Sequence, residues 1–331
     1  MKHILMLATG GTIASRETGQ GLAPAITSRE ILGYVPAIGE LCRVETIQLM
    51  NLDSSNLGPS HWLQMARAIE EHYDRYDGFV VTHGTDTMAY TAAALSYLIQ
   101  FSPKPIVLTG SQKSICLENT DARMNLYNAF LYAASEGSRG VSLVFDGKVI
   151  LGTRARKERT KSFNAFSSVD YPEIGVIRDG RLIRYLPALD AKESPDFYHT
   201  LEDRVLLLTL IPGMGTEALA ALEDSYQAVI LQSFGVGGLP GGGSGPFAQA
   251  VERWLQAGKT IVMLTQVPYE GSDMAVYQVG YQVKEKYRLL EGYNMTLEAA
   301  VTKLMWVLGR TRDPEQVEAL FYRPVQWDII R

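Results

Sequence analysis

The chain is poor in the residues that mark several protein classes. Its 331 residues include only two cysteines, Cys42 and Cys116, too few for a disulfide framework and expected to stay reduced in a cytosol. The five histidines form no His-x-x-x-His spacing and no Cys-x-x-Cys pair accompanies them, so structural zinc has no ligand set. No Lys/Arg block interrupts a chain of net charge −5, which removes the usual grounds for expecting nucleic acid or an anionic membrane as a partner. No apolar run nears the roughly 20 residues of a membrane span. The N-terminal apolar stretch, Ile4 to Ala8, is shorter than the roughly 7–15 residues of a signal peptide. These absences read together as a cytoplasmic protein.

Phosphate-binding signatures are missing as well. The dinucleotide fingerprint is Gly-x-Gly-x-x-Gly and the phosphate loop is Gly-x4-Gly-Lys-Ser/Thr. Neither "TGGTIAS" (residues 9–15) nor "TGSQKS" (109–114) fits them. A dinucleotide oxidoreductase is disfavoured on that ground.

What is present is regular alternation. Apolar residues make up 46% and charged residues 20%, a mix able to bury a core. Strands are expected at 3–9, 45–50, 78–82, 105–109 and 141–144, with helices at 59–73, 86–100 and 121–136. Trp62, Met65, Ala66, Ile69 and Tyr73 recur with a helical period. Two Asp-Gly pairs between alternating apolar residues, in "FDGKVILGT" and "EIGVIRDGRLIRY", read as hairpins. The polar stretch 186–204 reads as a linker. Beyond it, strands at 205–210, 228–232 and 260–265 alternate with helices at 217–222 and 246–256, and helices at 297–308 and 314–321 follow. "GVGGLPGGGSGP" (235–246) reads as a loop. The pattern predicts two α/β domains. Residues 1–185 form a larger N-terminal domain with a mostly parallel sheet flanked by helices, and residues 205–331 a smaller C-terminal α/β domain.

Ligands of open α/β sheets bind at the carboxyl ends of the strands. Three expected strands end in unusual polar sequence: Thr9-Gly10-Gly11-Thr12, Asn51-Leu52-Asp53-Ser54-Ser55-Asn56 and His83-Gly84-Thr85-Asp86-Thr87. Parallel strands would gather all three at one edge. Each also has a plain explanation. The first is a glycine turn, although such a turn can press a threonine hydroxyl against a substrate. The second suits a turn and cap before Pro59, or a donor cluster for a carboxylate. In the third, Thr85 suits a helix N-cap and Asp86 a first helical turn. The same threonine hydroxyl and N–H groups would favour developing negative charge, and Asp86 would suit an ammonium. His83 reads as a strand-end residue rather than a base. The basic run "GTRARKERTKS" (152–162) reads mostly as a solvated face, but one inward lysine beside Thr85 would be an easier base once desolvated.

These residues resemble the bacterial-type L-asparaginase family, in particular its cytosolic type I branch. The resemblance spans the chain. It is carried by Leu7-Ala8-Thr9-Gly10-Gly11-Thr12-Ile13-Ala14 and by Thr82-His83-Gly84-Thr85-Asp86-Thr87-Met88-Ala89-Tyr90. Met50 to Ser55 is similar to the family's substrate-binding turn. Lys157, within Gly152-Thr153-Arg154-Ala155-Arg156-Lys157, is similar to its active-site lysine, and Ser233-Phe234-Gly235-Val236-Gly237 resembles a loop near its dimer interface.

The resemblance implies hydrolysis of L-asparagine to L-aspartate and ammonia without metal or other cofactor. It also implies an intimate homodimer that can pair into a tetramer. Thr12 would attack the side-chain amide to form a β-aspartyl ester, with Thr85, Asp86 and Lys157 as the second catalytic cluster. The Thr85 N–H would meet the oxyanion. Asp86 would hold the α-ammonium, and Ser54, with the backbone of Asp53, Ser54 and Ser55, the α-carboxylate. Glutamine differs from asparagine by one methylene, worth roughly 1–3 kcal/mol in a pocket, so asparagine is expected to be preferred, with minor glutaminase activity. The chain departs from many relatives in having no tyrosine between Ile13 and Gly33; Leu22 stands in the corresponding place, and Tyr34 is expected inside the next helix. Gly19 and Gly21 suit a lid that closes over substrate.

Two other roles compete. Ammonia-supplying subunits of tRNA-dependent amidotransferases share this fold but carry an extra N-terminal domain, for which a "TGGT" starting at residue 9 is expected to leave no room. A non-catalytic amino-acid-binding protein would need Asp53, Ser54 and Asp86 but neither Thr12 nor Lys157.

Overall fold

A computed structural model describes all residues except 20, 243–244, 277–286, 288 and 331. The chain divides into two compact units, Met1–His199 and Thr200–Arg331.

The first unit is built on an eight-stranded sheet. Its parallel part runs, in spatial order, Arg43–Leu52, His3–Gly10, Gly78–Thr82, Pro105–Thr109 and Gly140–Phe145. The middle strands are apolar runs with every residue buried, as in "GFVVT" and "PIVLT". A parallel sheet covered on both faces requires such runs. Lys148–Leu151, Gly175–Arg178 and Arg181–Arg184 extend the sheet antiparallel. The expected Asp-Gly hairpins are both there. Asp146-Gly147 and Asp179-Gly180 take positive φ at both positions, the twist that a two-residue hairpin turn needs.

Helix Pro59–His72 buries Trp62, Met65, Ala66 and Ile69 on one face. Helix Met88–Leu98 is buried on nearly every side; its alanines keep it thin and strongly helical where it packs against Pro59–His72 and Gly140–Phe145. It is shorter than the 86–100 expected, because Ile99–Gln100 turns into a strand that pairs with Asp196–Phe197. Three short elements had no periodic signal: helices Ser28–Gly33 and Ile38–Leu41, and the hairpin of Ser15–Thr18 with Gly21–Pro24. That hairpin occupies the segment read as a lid, of which residue 20 lies outside the described residues. Tyr34 falls at the C-cap, just past its helix rather than inside it.

The second unit has a parallel sheet in the order Val205–Thr209, Ala228–Ser233, Thr260–Thr265, Leu290–Glu291. Among the described residues its α-helices are Glu217–Leu222, Pro246–Gln256, Leu297–Leu308 and Pro314–Tyr322. Leu231, Phe247, Trp254 and Met263 lie in its core. Residues 243 and 244 of the glycine-rich loop lie outside the described residues.

Candidate active site

In the first unit the chain leaves His3–Gly10 toward Arg43–Leu52 on one side, then returns to Gly78–Thr82 on the other. That reversal is the position at which an open α/β sheet forms its ligand crevice. The polar strand ends gather there. Ala8 pairs with Thr82 and Gly10 with Leu52, and the Gly11 N–H donates to the Leu52 carbonyl at 2.9 Å.

Two glycines make the crossing possible. A β-carbon on Gly11 would lie 2.3 Å from the Gly84 nitrogen, and one on Gly84 would lie 2.7 Å from Ser54 Oγ. Gly11 also has φ of +78°, a conformation that other residues adopt at a cost. Three strand ends are thereby held in backbone contact, and Thr12 and Thr85 leave from the same point. Thr12 opens a short 3-10 turn, Thr12–Ala14.

Thr85 does not cap the following helix. That helix begins at Met88, and Thr87, at its N-cap, makes no capping hydrogen bond; the Thr87 hydroxyl instead donates to the Ser54 carbonyl at 2.7 Å. Thr85 has other partners. Lys157 Nζ donates to Thr85 Oγ1 at 2.8 Å and to Asp86 Oδ1 at 2.6 Å. The Thr85 hydroxyl in turn donates to Gln112 Oε1 at 3.1 Å. Thr85 is buried, whereas the Asp86 side chain is 66% exposed, so Asp86 keeps an oxygen open to a ligand. Lys157 reaches inward from the end of strand Ala155–Lys157, which pairs with Phe166–Ser168. Of the other cations in its basic run, Arg154 is fully buried, whereas Arg159 and Lys161 are exposed, Arg159 bonding the Asn164 carbonyl.

Gln112 was not singled out by the sequence. It follows strand Pro105–Thr109, the next strand end along the sheet, in the "TGSQKS" set aside for failing a phosphate motif. Its amide nitrogen donates to the carbonyls of Arg159 and Ser162 at 3.3 and 3.2 Å. Asp121 fixes the turn by accepting from the N–H groups of Gln112 and Lys113.

Asp53 caps the Ser54–Asn56 turn, accepting from the Ser55 N–H at 2.9 Å and its hydroxyl at 2.8 Å. These bonds hold its carboxyl below the usual carboxylate range. Ser54 is 2% exposed, yet its hydroxyl has no hydrogen-bond partner among the described residues, nor has that of Thr12 or the N–H of Thr85. A site built for a ligand leaves such groups open. His83 is fully buried and points away, its ring bonded to the Gly84 carbonyl and to Thr91. Burial pushes its imidazole down to about 4, which keeps it neutral near pH 7.

Residues 3–188 match the family model described as "Asparaginase, N-terminal", and residues 204–321 the "Glutaminase/Asparaginase C-terminal domain". An L-asparaginase of Thermococcus kodakarensis is 39% identical over 98% of each chain. The thermostable L-asparaginase from that organism superposes with a TM-score of 0.92 at 36% identity, covering 99% of both chains. One component of the glutamyl-tRNA(Gln) amidotransferase of Pyrococcus abyssi is 33% identical over 97% of this chain but 75% of its own length. On both of its units, the chain belongs to the asparaginase family.

Proposed function

We propose that the protein hydrolyses L-asparagine to L-aspartate and ammonia through a covalent β-aspartyl ester on Thr12. The observation that carries this reading is the hydrogen-bonded cluster of Thr85, Lys157 and Asp86, set against the open hydroxyl of Thr12 across the Gly11–Gly84 contact.

Free asparagine carries an ammonium and a carboxylate, and the site offers opposite partners for both. Asp86 accepts the ammonium with its free oxygen. Ser54, with the 53–55 backbone, donates to the carboxylate. The side-chain amide then lies between Thr12 and Thr85. Thr12 Oγ attacks the amide carbon, the oxyanion forms against the Thr85 N–H, the hydroxyl proton is relayed to the amide nitrogen, and the C–N bond breaks to release ammonia. Water hydrolyses the ester in a second step, which splits one hard reaction into two easier ones. The ammonium of Lys157 stabilises negative charge developing on Thr85 Oγ as Thr85 orients that water. Losing such a contact typically costs about 3 kcal/mol of barrier.

One neighbouring structure is titled a probable cytoplasmic L-asparaginase from Campylobacter jejuni, and no described helix is long and apolar enough to cross a membrane. That neighbour's name supports a cytoplasmic enzyme. It is expected to work as a homodimer or a pair of dimers.

The test is ammonia release from asparagine and from glutamine, for wild type and Thr12→Ala. Release from asparagine by the isolated protein, absent in Thr12→Ala, supports the reading. Near-normal turnover by Thr12→Ala overturns the covalent step. The likeness to an amidotransferase component favours a second reading, in which ammonia appears only with a partner protein and aminoacyl-tRNA. A trapped adduct on Thr12 excludes a protein that only binds amino acids.

A further inference from the structure

Thr87 closes the run His83 to Thr87, and the proposed reaction gives it no part. It stands at the N-cap of helix Met88–Leu98, where a threonine hydroxyl ordinarily accepts from an N–H of the first turn. Here it makes no capping bond. The hydroxyl donates instead to the Ser54 carbonyl at 2.7 Å, 33 residues away in the chain. That carbonyl already accepts the Leu57 N–H at 3.1 Å, so the Thr87 bond does not rescue an orphaned acceptor. The helix forgoes a cap for a bond that its own fold does not require. What such a bond supplies is position.

The other end of the same segment presses on the same serine. A β-carbon on Gly84 would lie 2.7 Å from Ser54 Oγ and 2.8 Å from its β-carbon, and Ser54 is 2% exposed. Gly84 against its side chain and Thr87 on its carbonyl hold Ser54 from two sides. Between them in the chain lie Thr85 and Asp86. The residue assigned to the substrate carboxylate is thereby tied to the segment that carries the ammonium partner and the threonine facing the amide.

We propose that Thr87 is a positioning residue that sets the preference for asparagine over glutamine, by fixing where the carboxylate anchor Ser54 stands relative to Thr85. The inference rests on the reaction proposed above. With both α-groups anchored in fixed places, a side chain of asparagine's length lays its amide carbon between Thr12 and Thr85. Glutamine is one methylene longer, so it must push an anchor back or fold its own chain. The bond from Thr87 closes the first route. Without it the Ser54–Asn56 turn can give way, and the discrimination falls.

Thr87→Val keeps the shape of the side chain and removes its hydroxyl. No cap is lost, and the Ser54 carbonyl keeps its Leu57 partner, so the variant should keep the wild-type thermal midpoint. The test is steady-state kinetics of the full-length protein with asparagine and with glutamine. The ratio of the two kcat/KM values should fall about three- to tenfold, what one neutral hydrogen bond is worth in an equilibrium. The fall should come through a raised KM for asparagine, with its kcat within about twofold of wild type. Thr87→Ser keeps the hydroxyl and should restore the ratio. A residue that only held the fold would move kcat and the melt together and leave the ratio alone. An unchanged ratio in Thr87→Val, or a serine variant that behaves like the valine one, would overturn the proposal. A wild type that releases no ammonia from either amino acid would sink the proposed reaction instead. Calorimetric titration with L-aspartate and L-glutamate, which carry the same α-groups, then decides on Thr87. A preference for aspartate that narrows in Thr87→Val supports its role, and one that stays the same, or no binding of either by wild type, refutes it.

Discussion

Lys157→Met separates catalysis from stability, and the two magnitudes differ enough to decide between them. Methionine keeps the length of the side chain and removes its charge. In the folded protein the change deletes two bonds, at 2.8 Å to Thr85 and 2.6 Å to Asp86. Neither loss should cost much stability. The Asp86 side chain is 66% exposed, so the ion pair is solvent-screened and worth about 1 kcal/mol at most. Thr85 keeps its bond to Gln112 and is not orphaned. For a unit of this size that is a fall of no more than about 2–4 °C in the thermal midpoint.

The barrier should suffer far more. A charged donor aimed at an oxygen that becomes negative only during reaction is worth about 3–4 kcal/mol, or 10²–10³ in turnover. Ammonia release by coupled assay, together with a thermal melt, reads both quantities from one preparation. The expected result is turnover reduced at least about 100-fold, a nearly unchanged melt, and a KM for asparagine that does not rise, since Asp86 loses the cation that competes with the substrate ammonium. Lys157→Arg should recover part of the rate. A turnover loss below about tenfold, or a loss matched by a large drop in the midpoint, would refute the role assigned to this lysine.

Other contacts give sharper structural tests. Gly11→Ala places a β-carbon 2.3 Å from the Gly84 nitrogen at φ +78°; because both obstacles are backbone, soluble yield and thermal midpoint should collapse, as a melt or expression trial would show. Ser54→Ala removes an open hydroxyl and little packing, so KM for asparagine should rise about tenfold with turnover less affected, a split read from steady-state kinetics. His83 is held down to about 4 from 6.5 by burial, so the unfolded chain takes up its proton first. Its contribution is intact above pH 6.5 and drains as pH falls toward 4, by about 3 kcal/mol in all; in denaturant titrations at pH 7 and pH 4.5 the stability gap between wild type and His83→Gln should narrow accordingly. Burial also pushes the Cys42 thiol up to about 11, whereas Cys116 is exposed; a disulfide reagent should titrate one thiol in the native protein and two in denaturant.

The long elements were legible because their patterns repeat. Pro59–His72 and the buried strands Gly78–Thr82 and Pro105–Thr109 lie within a residue or so of their expected bounds. Short elements offered too few residues for a period. Helix Ser28–Gly33 did carry a local signal, since Thr27 and Glu30 form a reciprocal capping box, but six residues cannot show an apolar stripe. The ends of the gathered strands were legible as a set for a different reason: parallel strands point their carboxyl ends the same way. What no pattern in the residues could supply was the cross-chain partner. Lys157 lies on a short strand between the two Asp-Gly hairpins, and its place beside Thr85 depends on the return path from Lys148–Leu151. Only its likeness to a family motif picked it out from the other basic residues of that run.

In the proposed reaction Thr12 must also lose its proton to some neighbouring group. Many relatives place a tyrosine in the loop after this threonine, and the first tyrosine here, Tyr34, is engaged elsewhere. Its hydroxyl meets Cys116 Sγ at 3.2 Å and its ring faces the Arg123 guanidinium, so drawing it toward Thr12 would mean giving up both contacts. The groups already at the crossing point are Thr85 and Lys157, and these are also the groups assigned to the hydrolytic step of the proposed reaction. If one cluster serves both steps, replacing Tyr34 by phenylalanine should leave turnover within about twofold of wild type, while Thr85→Ala should slow both formation and breakdown of the ester by about 10²–10³-fold. Single-turnover kinetics with asparagine would resolve the two steps. A Tyr34→Phe enzyme that forms the ester slowly but hydrolyses it normally would show instead that a distant tyrosine is recruited when substrate binds.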